Sequence, residues 1–473
     1  MAFSVQEGSQ IVSAREPSPM ITRRAAAAGL ATSLIGLTGR TGAQGLSPTS
    51  SVSRVLQAGE ARWSLAAKPR SMRLRPDAAR EADVWTFNGE LAPVFRLKHG
   101  AGMRLSLKNE TALPLSLHFH GIRGPNEMAG VGGLTQPPIA PGESFDYAFT
   151  PPDPGTFLIR PCLLGGSAEP AERGLTSLLI VEEAQPPQVD RDIALIVDDW
   201  ALAEDGSLAL GDPAPAGRLG SFLTVNGKAT PLRIEAPPRG RIRLRFANAC
   251  NARGMRLRFD GLKAFVIAVD GQPSSTFEPL EASLPFAPGN RYDLLVDLPA
   301  EVGPAGSVIA LIGSGFPLME IVATGDRSGP LPPMAPLRPN PKLPAQIRLQ
   351  DAMRKDVAIR GDPTRPDVPW AINGATGQPS NPPLVRIKRG TPVVLALRNE
   401  TAFMQPMHLH GHSSRLLHGL DDGWEPYWLD TVQVPENKTV RIAFVADNPG
   451  KWLLASTVME RFDAGLWTWI EVT

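Results

Sequence analysis

The sequence predicts an all-β protein made of three consecutive β-sandwiches. Its 473 residues are enough for about three domains at roughly 150 residues each. The 45 glycines and 48 prolines favour many turns over long helices, and segments such as Arg241–Phe246 alternate charged and apolar residues with a period of two. An internal repeat is the third and strongest observation.

The repeat places one segment of the chain onto another at a constant offset. Residues Phe95–Thr111 align with Val385–Thr401, and a weaker third copy runs from Arg239 to Asn248. An Asn-Gly pair precedes each copy and a proline-containing turn follows it; the Asn-Gly pairs are at 88–89, 226–227 and 373–374. Three copies of one β unit of about 130–150 residues therefore account for most of the chain.

The spacing of the copies sets the predicted domain limits. We expect domains at residues 46–185, 186–328 and 346–473. Residues 329–345 are predicted to be a linker, since seven prolines between Pro330 and Pro344 favour an extended, semi-rigid segment.

The N-terminal segment, residues 1–45, is predicted to be an export signal and leader. Thr22-Arg23-Arg24 precedes an apolar, alanine-rich stretch that is too short for a membrane anchor. The paired arginines favour the twin-arginine route, with the Sec route as the alternative, and translation could start at Met1 or Met20. We expect a periplasmic protein with no membrane span after signal removal.

Charge and cysteine content exclude several classes of function. Lys and Arg number 48 against 47 Asp and Glu, so no basic field is available for nucleic acid or an anionic membrane. Two cysteines exclude a disulfide scaffold and a Cys-rich metal fold. A Cys162–Cys250 disulfide would have to join two different units, and we do not expect it. The seven histidines are therefore the main candidates for chemistry.

Four of these histidines lie on the repeat. The same offset carries His118-Phe-His120-Gly onto His408-Leu-His410-Gly. Residues two apart on a strand point to one face, so each pair offers two imidazoles side by side. Two pairs on equivalent strands could face each other and provide four ligands of a kind that copper, zinc, iron and nickel accept. The alternative is a polar pocket in which the rings bond to each other, to water or to the backbone.

With these features the chain resembles the three-domain multicopper oxidases, the laccase and copper-efflux-oxidase group. The other matching landmarks are Gly130–Gln136, Pro154–Phe157, Asp430–Val432 and Asn448–Trp452. The resemblance implies three cupredoxin-like Greek-key β-sandwich domains, with copper between the first and third and within the third.

The same resemblance implies that most copper ligands are missing. At the four type 1 copper positions the chain has Gln405, Ser456, Arg461 and Leu466, and a serine cannot replace the cysteine thiolate of that centre. At four of the eight trinuclear positions it has Arg160, Cys162, Ala455 and Thr457. His118 and His408 match the type 2 copper pair, and His120 and His410 match half of the type 3 set.

Arg160 weighs most against a full cluster. A guanidinium about 4 Å from a divalent ion costs roughly 8 kcal/mol at an effective dielectric constant of 20. We therefore expect no cofactor or a single copper ion, not four coppers. Arg160 could instead hold a carboxylate or phosphate. It could also lower the pKa of Cys162 and favour thiolate ligation, the alternative being an inert buried thiol.

Three functions follow, in order of preference. The first is an exported, non-catalytic binding or scaffold protein, most simply a monomer, with an unidentified envelope protein as partner; relatives that have lost copper ligands include an exported cell-division protein. The second is a periplasmic copper or zinc binder that uses the four histidines, with Cys162 as a further candidate ligand. The third is an active oxidase with a non-standard site.

Overall fold

The structure is a computed structural model that describes residues 60–211, 216–327, 330–418 and 423–473. The predicted export signal, residues 1–45, lies outside these residues. The helices within the described ranges are α1 (Ala168–Glu172) and α2 (Met459–Asp463), with 3₁₀ turns at Asn126–Met128, Leu280–Ala282 and Leu349–Asp351. No helix in this part of the chain has the length and hydropathy needed to cross a membrane.

Almost all regular structure is β-strand. The first stretch of the chain forms β1 (Ala61–Met72), β2 (Ala82–Phe87), β3 (Val94–Lys98), β4 (Met103–Asn109), β5 (Leu117–His120), β6 (Ser144–Phe149), β7 (Gly155–Pro161) and β8 (Ser177–Glu182). The second forms β9 (Arg191–Trp200), β10 (Phe222–Val225), β11 (Lys228–Ala229), β12 (Leu232–Ala236), β13 (Arg241–Asn248), β14 (Met255–Asp260), β15 (Ala264–Val269), β16 (Gln272–Phe277), β17 (Ser283–Phe286), β18 (Arg291–Asp297), β19 (Gly303–Ala310) and β20 (Phe316–Ala323). The third forms β21 (Met353–Arg360), β22 (Ala371–Ile372), β23 (Val385–Ile387), β24 (Pro392–Asn399), β25 (Gln405–Leu409), β26 (Ser414–Leu417), β27 (Trp424–Leu429), β28 (Thr431–Val434), β29 (Thr439–Val445), β30 (Gly450–Ser456) and β31 (Trp467–Val472).

Each sheet draws its strands from one of these three stretches. The first stretch gives sheets β2-β1-β4-β6 and β3-β8-β7-β5. The second gives β11-β10-β9-β13-β18-β15-β16 and β12-β20-β19-β14-β17, and the third gives β22-β21-β24-β29-β26-β27 and β23-β31-β30-β25-β28. The expected all-β fold with three consecutive sandwiches is confirmed, while the exact domain limits remain a prediction.

The strand pairings repeat in all three stretches. In one sheet of each, the first strand pairs in parallel with the strand formed by the sequence repeat: β1 with β4, β9 with β13, and β21 with β24. In the other sheet β3, β12 and β23 pair in parallel with β8, β20 and β31. By this equivalence β5 corresponds to β25 and β7 to β30, so the two His-X-His motifs lie on equivalent strands.

Residues that both copies of the repeat share have a local structural role. In the first copy Asn109 Nδ2 donates to the carbonyl of Leu113, and the Thr111 hydroxyl donates to Asn109 Oδ1 at 2.7 Å. Asn399 and Thr401 make the same two bonds in the third stretch. The side chains thus close the turn that leads into β5 in one case and β25 in the other, and the turn sets where each histidine strand begins.

Candidate metal site

The four histidines of the two motifs meet in one buried cluster. Their side chains are between 2 and 4% exposed. The ring centroids of His120 and His408 are 3.6 Å apart and those of His118 and His410 are 3.9 Å apart, both pairs being stacked. The structure therefore brings together the two pairs that the sequence placed on equivalent strands.

Backbone carbonyls determine which ring nitrogen carries the proton. A carbonyl can only accept a hydrogen bond, so the contacts of His118 Nδ1 with Ala129 O at 2.6 Å and of His408 Nδ1 with Asp430 O at 3.0 Å place a proton on each Nδ1. The two Nε2 atoms, which face each other at 3.2 Å, then both present lone pairs. Neutral rings in this arrangement have no proton to share between them.

Burial opposes protonation of three of the four rings. Burial, with the neighbouring His408, lowers the pKa of His118 to about 3. Burial also holds the pKa of His120 and of His410 well below the usual value. The described surroundings therefore favour the neutral imidazole at His118, His120 and His410, which is the state that binds metals.

The donor set fits one metal ion. Two nitrogens bound to one tetrahedral ion at about 2.0 Å lie roughly 3.3 Å apart, close to the observed 3.2 Å. Ligand atoms of His118, His408 and His410 lie within 4.8 Å of one another, and His410 Nδ1 is buried without a hydrogen-bond partner among the described residues. An Nδ1–H bonded to a carbonyl is also the usual outer contact of a metal-binding histidine.

The same pocket does not fit three coppers. The cavity that the histidines line has a volume of about 20 Å³, which holds one ion or one water molecule. Arg160, Cys162, Ala455 and Thr457 line it as well. Arg160 lies opposite His118 across the β5–β7 pairing, so a permanent charge borders the cavity.

Arg160 is held by the third stretch of the chain. Its Nη2 donates to the carbonyl of Thr457 at 2.7 Å and contacts Sδ of Met459 at 3.2 Å. Its Nη1 is buried with no hydrogen-bond partner among the described residues. Burial lowers the pKa of this guanidinium to about 10, which leaves it charged at neutral pH.

Of the two alternatives for Cys162, the structure favours the inert buried thiol over a thiol with a lowered pKa. Burial raises the pKa of Cys162 to about 12, and the opposing effect of Arg160 is smaller. The side chain packs in an apolar cluster with Val131, Phe462 and Trp469. Cys162 and Cys250 are both free thiols in the structure. Cys162 lines the cavity as an inert thiol, and its role as a ligand stays a prediction.

A guanidinium occupies the region where the resemblance places type 1 copper. Nη1 of Arg461 donates to Oε1 of Gln405 at 2.8 Å and to the carbonyl of Met404, and its Nε donates to the carbonyl of Ala216. Its Cζ lies 5.1 Å from the ring centres of both Trp370 and Phe403, a cation–π arrangement.

The other two positions complete this region without a soft ligand. Ser456 donates its backbone N–H to the carbonyl of Leu466 at 2.9 Å, and the Leu466 side chain is fully buried. The structure brings the four substituted positions together, and the residues present do not fit copper of this type. A buried charged group with its own hydrogen bonds stands there instead.

Residues of the second stretch complete the histidine site, and sequence reasoning missed them. Arg291 donates to both carboxylate oxygens of Asp430, and Asp270 accepts from the backbone N–H groups of Asp430 and Thr431. His120 Nε2 lies 2.7 Å from the Thr431 hydroxyl, which in turn donates to Asp430. No motif marks Arg291 or Asp270; Asp430 and Thr431 carried a signal, as part of the family landmark Asp430–Val432.

Arg291 and Asp430 of this second layer form a buried ion pair. Burial alone would raise the pKa of Asp430, but Arg291 and the adjacent histidines hold it well below its usual value. Asp430 Oδ1 also lies 3.2 Å from His408 Nδ1. The carboxylate therefore orients one histidine of each motif.

His412 does not join the cluster. Gly411 has φ +67°, and a Cβ there would overlap the Trp452 ring, so the chain turns after His410. His412 Nδ1 contacts the carbonyl of His410 at 3.1 Å, and the ring packs against Phe444 and Trp452.

Two sequence profiles described as "Multicopper oxidase" match the chain, at residues 70–186 and 338–473. Among solved structures, the chain is similar to the multi-copper oxidase of Pseudomonas thermotolerans. The two share 30% identity and a TM-score of 0.79, over 88% of this chain and 100% of the other. McoA of Aquifex aeolicus gives 25% identity and a TM-score of 0.74 over 88% and 98%.

Curated relatives fall into two groups by name. The multicopper oxidase MmcO of Mycobacterium tuberculosis is 28% identical over 76% of this chain and 77% of its own. The cell division protein FtsP of Histophilus somni is 29% identical over 51% of each chain. FtsP of Xenorhabdus nematophila is 24% identical over 86% of each.

Proposed function

The chain belongs to the multicopper oxidase family, and we propose that within this family it binds one metal ion, copper or zinc, without acting as an oxidase. The observation that carries the proposal is the pair of Nε2 atoms of His118 and His408, which face each other at 3.2 Å with both protons held elsewhere. A cation between them converts a repulsive contact into two bonds.

The loss of oxidase activity rests on the type 1 region. A centre that takes electrons from a reductant needs a cysteine thiolate and histidines. Ser456, Gln405 and Arg461 supply none of these, and the guanidinium of Arg461 already donates to three acceptors. An ion in the histidine pocket would bind through His118 and His408, with His410 beside them, and would serve as a bound cation.

Metal analysis tests the proposal directly. Protein produced in copper-supplemented cells and dialysed against a weak chelator is expected to retain one copper ion per chain. The double variant His118→Ala/His408→Ala is expected to retain no copper. His412→Ala is the matched control, since it removes a buried histidine outside the cavity and is expected to retain the ion.

Absorption spectra and turnover measurements test the proposed absence of oxidase activity. The copper-loaded protein is expected to show no intense blue absorption and no oxidation of phenolic substrates. Copper retained by the double variant, or an absence of copper in the unmodified protein, would contradict the binding site. Blue colour with turnover would contradict the loss of activity.

A second candidate function is a protein-binding scaffold of the envelope. It is favoured by the contacts that the Arg461 guanidinium makes in the former copper region. Because this cation stacks on two aromatic rings and donates hydrogen bonds to three acceptors, the third sandwich needs no copper in this region to be stable. Relatives named as the cell division protein FtsP support the same reading. Both functions are proposed for the periplasm, which the export signal predicted at residues 1–45 supports.

Cross-linking in the producing cells separates the two candidates. A scaffold is expected to capture the same envelope protein, in the same yield, with the unmodified chain and with His118→Ala/His408→Ala. A metal-dependent function is expected to lose that capture, or to show none, in the double variant.

A further inference from the structure

A second group of metal-ligand side chains lies at an edge of the second stretch. Asp198 and Asp199 are near the carboxyl end of β9, and Cys250 follows the carboxyl end of β13. Because β9 and β13 are parallel neighbours, with Asn248 opposite Val197, these ends meet at one edge of the sheet. One carboxylate oxygen from each aspartate and the thiol sulfur lie within 4.8 Å of one another.

All three side chains are buried, and one oxygen lacks a partner. Asp198, Asp199 and Cys250 are 7%, 2% and 0% exposed. Oδ2 of Asp199 accepts from the backbone N–H of Gly220 and from Nε of Arg253, both at 2.7 Å, whereas its Oδ1 is buried without a hydrogen-bond partner among the described residues. The Cys250 thiol also interacts with this carboxylate, and a metal ion bound here would take the place of the thiol proton.

Carboxylates dominate the surroundings of the group. Asp199 and Glu172 act on Asp198 in one sense and Arg160 acts on it in the other. Burial and the neighbouring carboxylates raise the pKa of Glu172 to about 8. Burial also raises the pKa of Asp198, of Asp199 and of Cys250, so it favours the protonated forms of these three groups until a cation displaces the protons.

We propose that Asp198, Asp199 and Cys250 form a second metal site, separate from the histidine pocket, that binds a zinc-type divalent ion. Zinc accepts thiolate and carboxylate ligands at about 2.3 Å and 2.0–2.2 Å in a tetrahedral arrangement. Magnesium and calcium are disfavoured because they prefer oxygen ligands only. On binding, each protonated ligand group loses its proton to solvent and a sulfur–metal bond forms, so no oxidant or reductant is required.

Arg253 and Gly220 orient the site. Nη2 of Arg253 donates to the carbonyl of Gly220 at 2.5 Å while its Nε holds Asp199, so the arginine and the glycine fix one carboxylate oxygen and leave the other directed elsewhere. This arrangement resembles the hydrogen bonds that position ligating carboxylates in other metal sites. The bound ion would tie the end of β9 to the segment that follows β13.

The test uses the full chain in the His118→Ala/His408→Ala background, so that the histidine pocket contributes no metal. Dialysis against zinc is expected to leave one zinc per chain, and addition of Asp198→Asn or Cys250→Ser is expected to abolish it. Cobalt(II) added instead is expected to give thiolate-to-metal charge-transfer absorption that Cys250→Ser removes. Cys162→Ser, which alters the other buried thiol, is the matched control and is expected to keep both signals.

Folding of each variant is checked by circular dichroism. If Cys250→Ser does not fold, zinc protection of one thiol against alkylation is measured with Asp198→Asn as the comparison, and the protected thiol is identified by peptide mapping. Absence of zinc from the background variant, zinc retained in folded Asp198→Asn, or protection at Cys162 instead of Cys250 would each overturn the proposal.

Discussion

Two arginines decide what the inherited ligand positions can do. Arg461 has three carbonyl or amide acceptors and two aromatic faces, so it replaces a metal centre with a stable buried cation. Arg160 differs, because one of its terminal nitrogens has no partner within the described part of the chain. It borders the histidine cavity as a charge that is only partly compensated, and it opposes any cation there.

Removing the charge of Arg160 is expected to strengthen metal binding. Arg160→Met eliminates a like charge that borders the cavity, and a relief of only about 1.4 kcal/mol already corresponds to a tenfold affinity gain. We expect copper or zinc to bind at least tenfold more tightly, as measured by competition with a chromophoric chelator. The change also leaves the carbonyl of Thr457 without this donor, at a cost of about 1–3 kcal/mol in the free energy of unfolding.

Arg461→Met is the control for that experiment. It removes an equally buried guanidinium that does not line the cavity. It is expected to lower stability and to change metal affinity by less than about twofold, since the effect of a charge falls with distance. Equal affinities for the Arg160→Met variant and the unmodified chain would show that this arginine does not limit binding.

At the scale of strands and turns, the glycine that follows each His-X-His has a steric function. Gly121 has φ +94°, and a Cβ there would overlap the guanidinium of Arg291 and the carboxylate of Asp430. Gly411 ends the third-stretch motif against the Trp452 ring in the same way. The motif therefore needs glycine because a buried ion pair or an aromatic ring fills the space of a side chain.

Gly121→Ala is expected to destabilise the protein more than its backbone conformation alone explains. The Arg291–Asp430 pair would have to move, so we expect a loss of at least about 2 kcal/mol beyond the conformational cost, together with weaker metal binding. Gly142→Ala is the matched control, since Gly142 has φ +85° and no atom within 4 Å of the added Cβ. Urea unfolding of both variants checks this, and equal losses would show that the ion pair tolerates a methyl group.

For the whole molecule, the sequence was sufficient for the fold and for half of the site. The repeat was visible in the sequence, at Phe95–Thr111 and Val385–Thr401, because local side-chain hydrogen bonds determine its turns. Asn109 and Thr111 make such bonds. The meeting of His118 with His408 followed from equivalent strands. Two other features depend on packing between distant segments and leave no local pattern in the sequence. These are the carbonyls that accept hydrogen bonds from the histidine rings, and the burial that raises the pKa of Cys162 despite the nearby Arg160.

Arg291 shows the same limit most clearly, because it joins all three stretches at one point. It donates to the carbonyl of Thr156 in the first stretch, to Gly289 and Asp270 carbonyls in the second, and to the Asp430 carboxylate in the third. The side chain is fully buried. Its removal would leave Asp430 without its countercharge at the place where the three sandwiches depend on one another.

Arg291→Met is therefore expected to lower the free energy of unfolding by about 3–5 kcal/mol, the usual cost of an uncompensated buried charge. Because the arginine links three sandwiches, we also expect the urea transition to broaden or separate into steps, with fluorescence and circular dichroism no longer coinciding. Arg258→Met is the control, since its pair with Asp260 is 42% exposed on both sides and water screens the attraction between the two charges. A single sharp transition with a loss no larger than that of the control would mean that the sandwiches are held together by their apolar contacts alone.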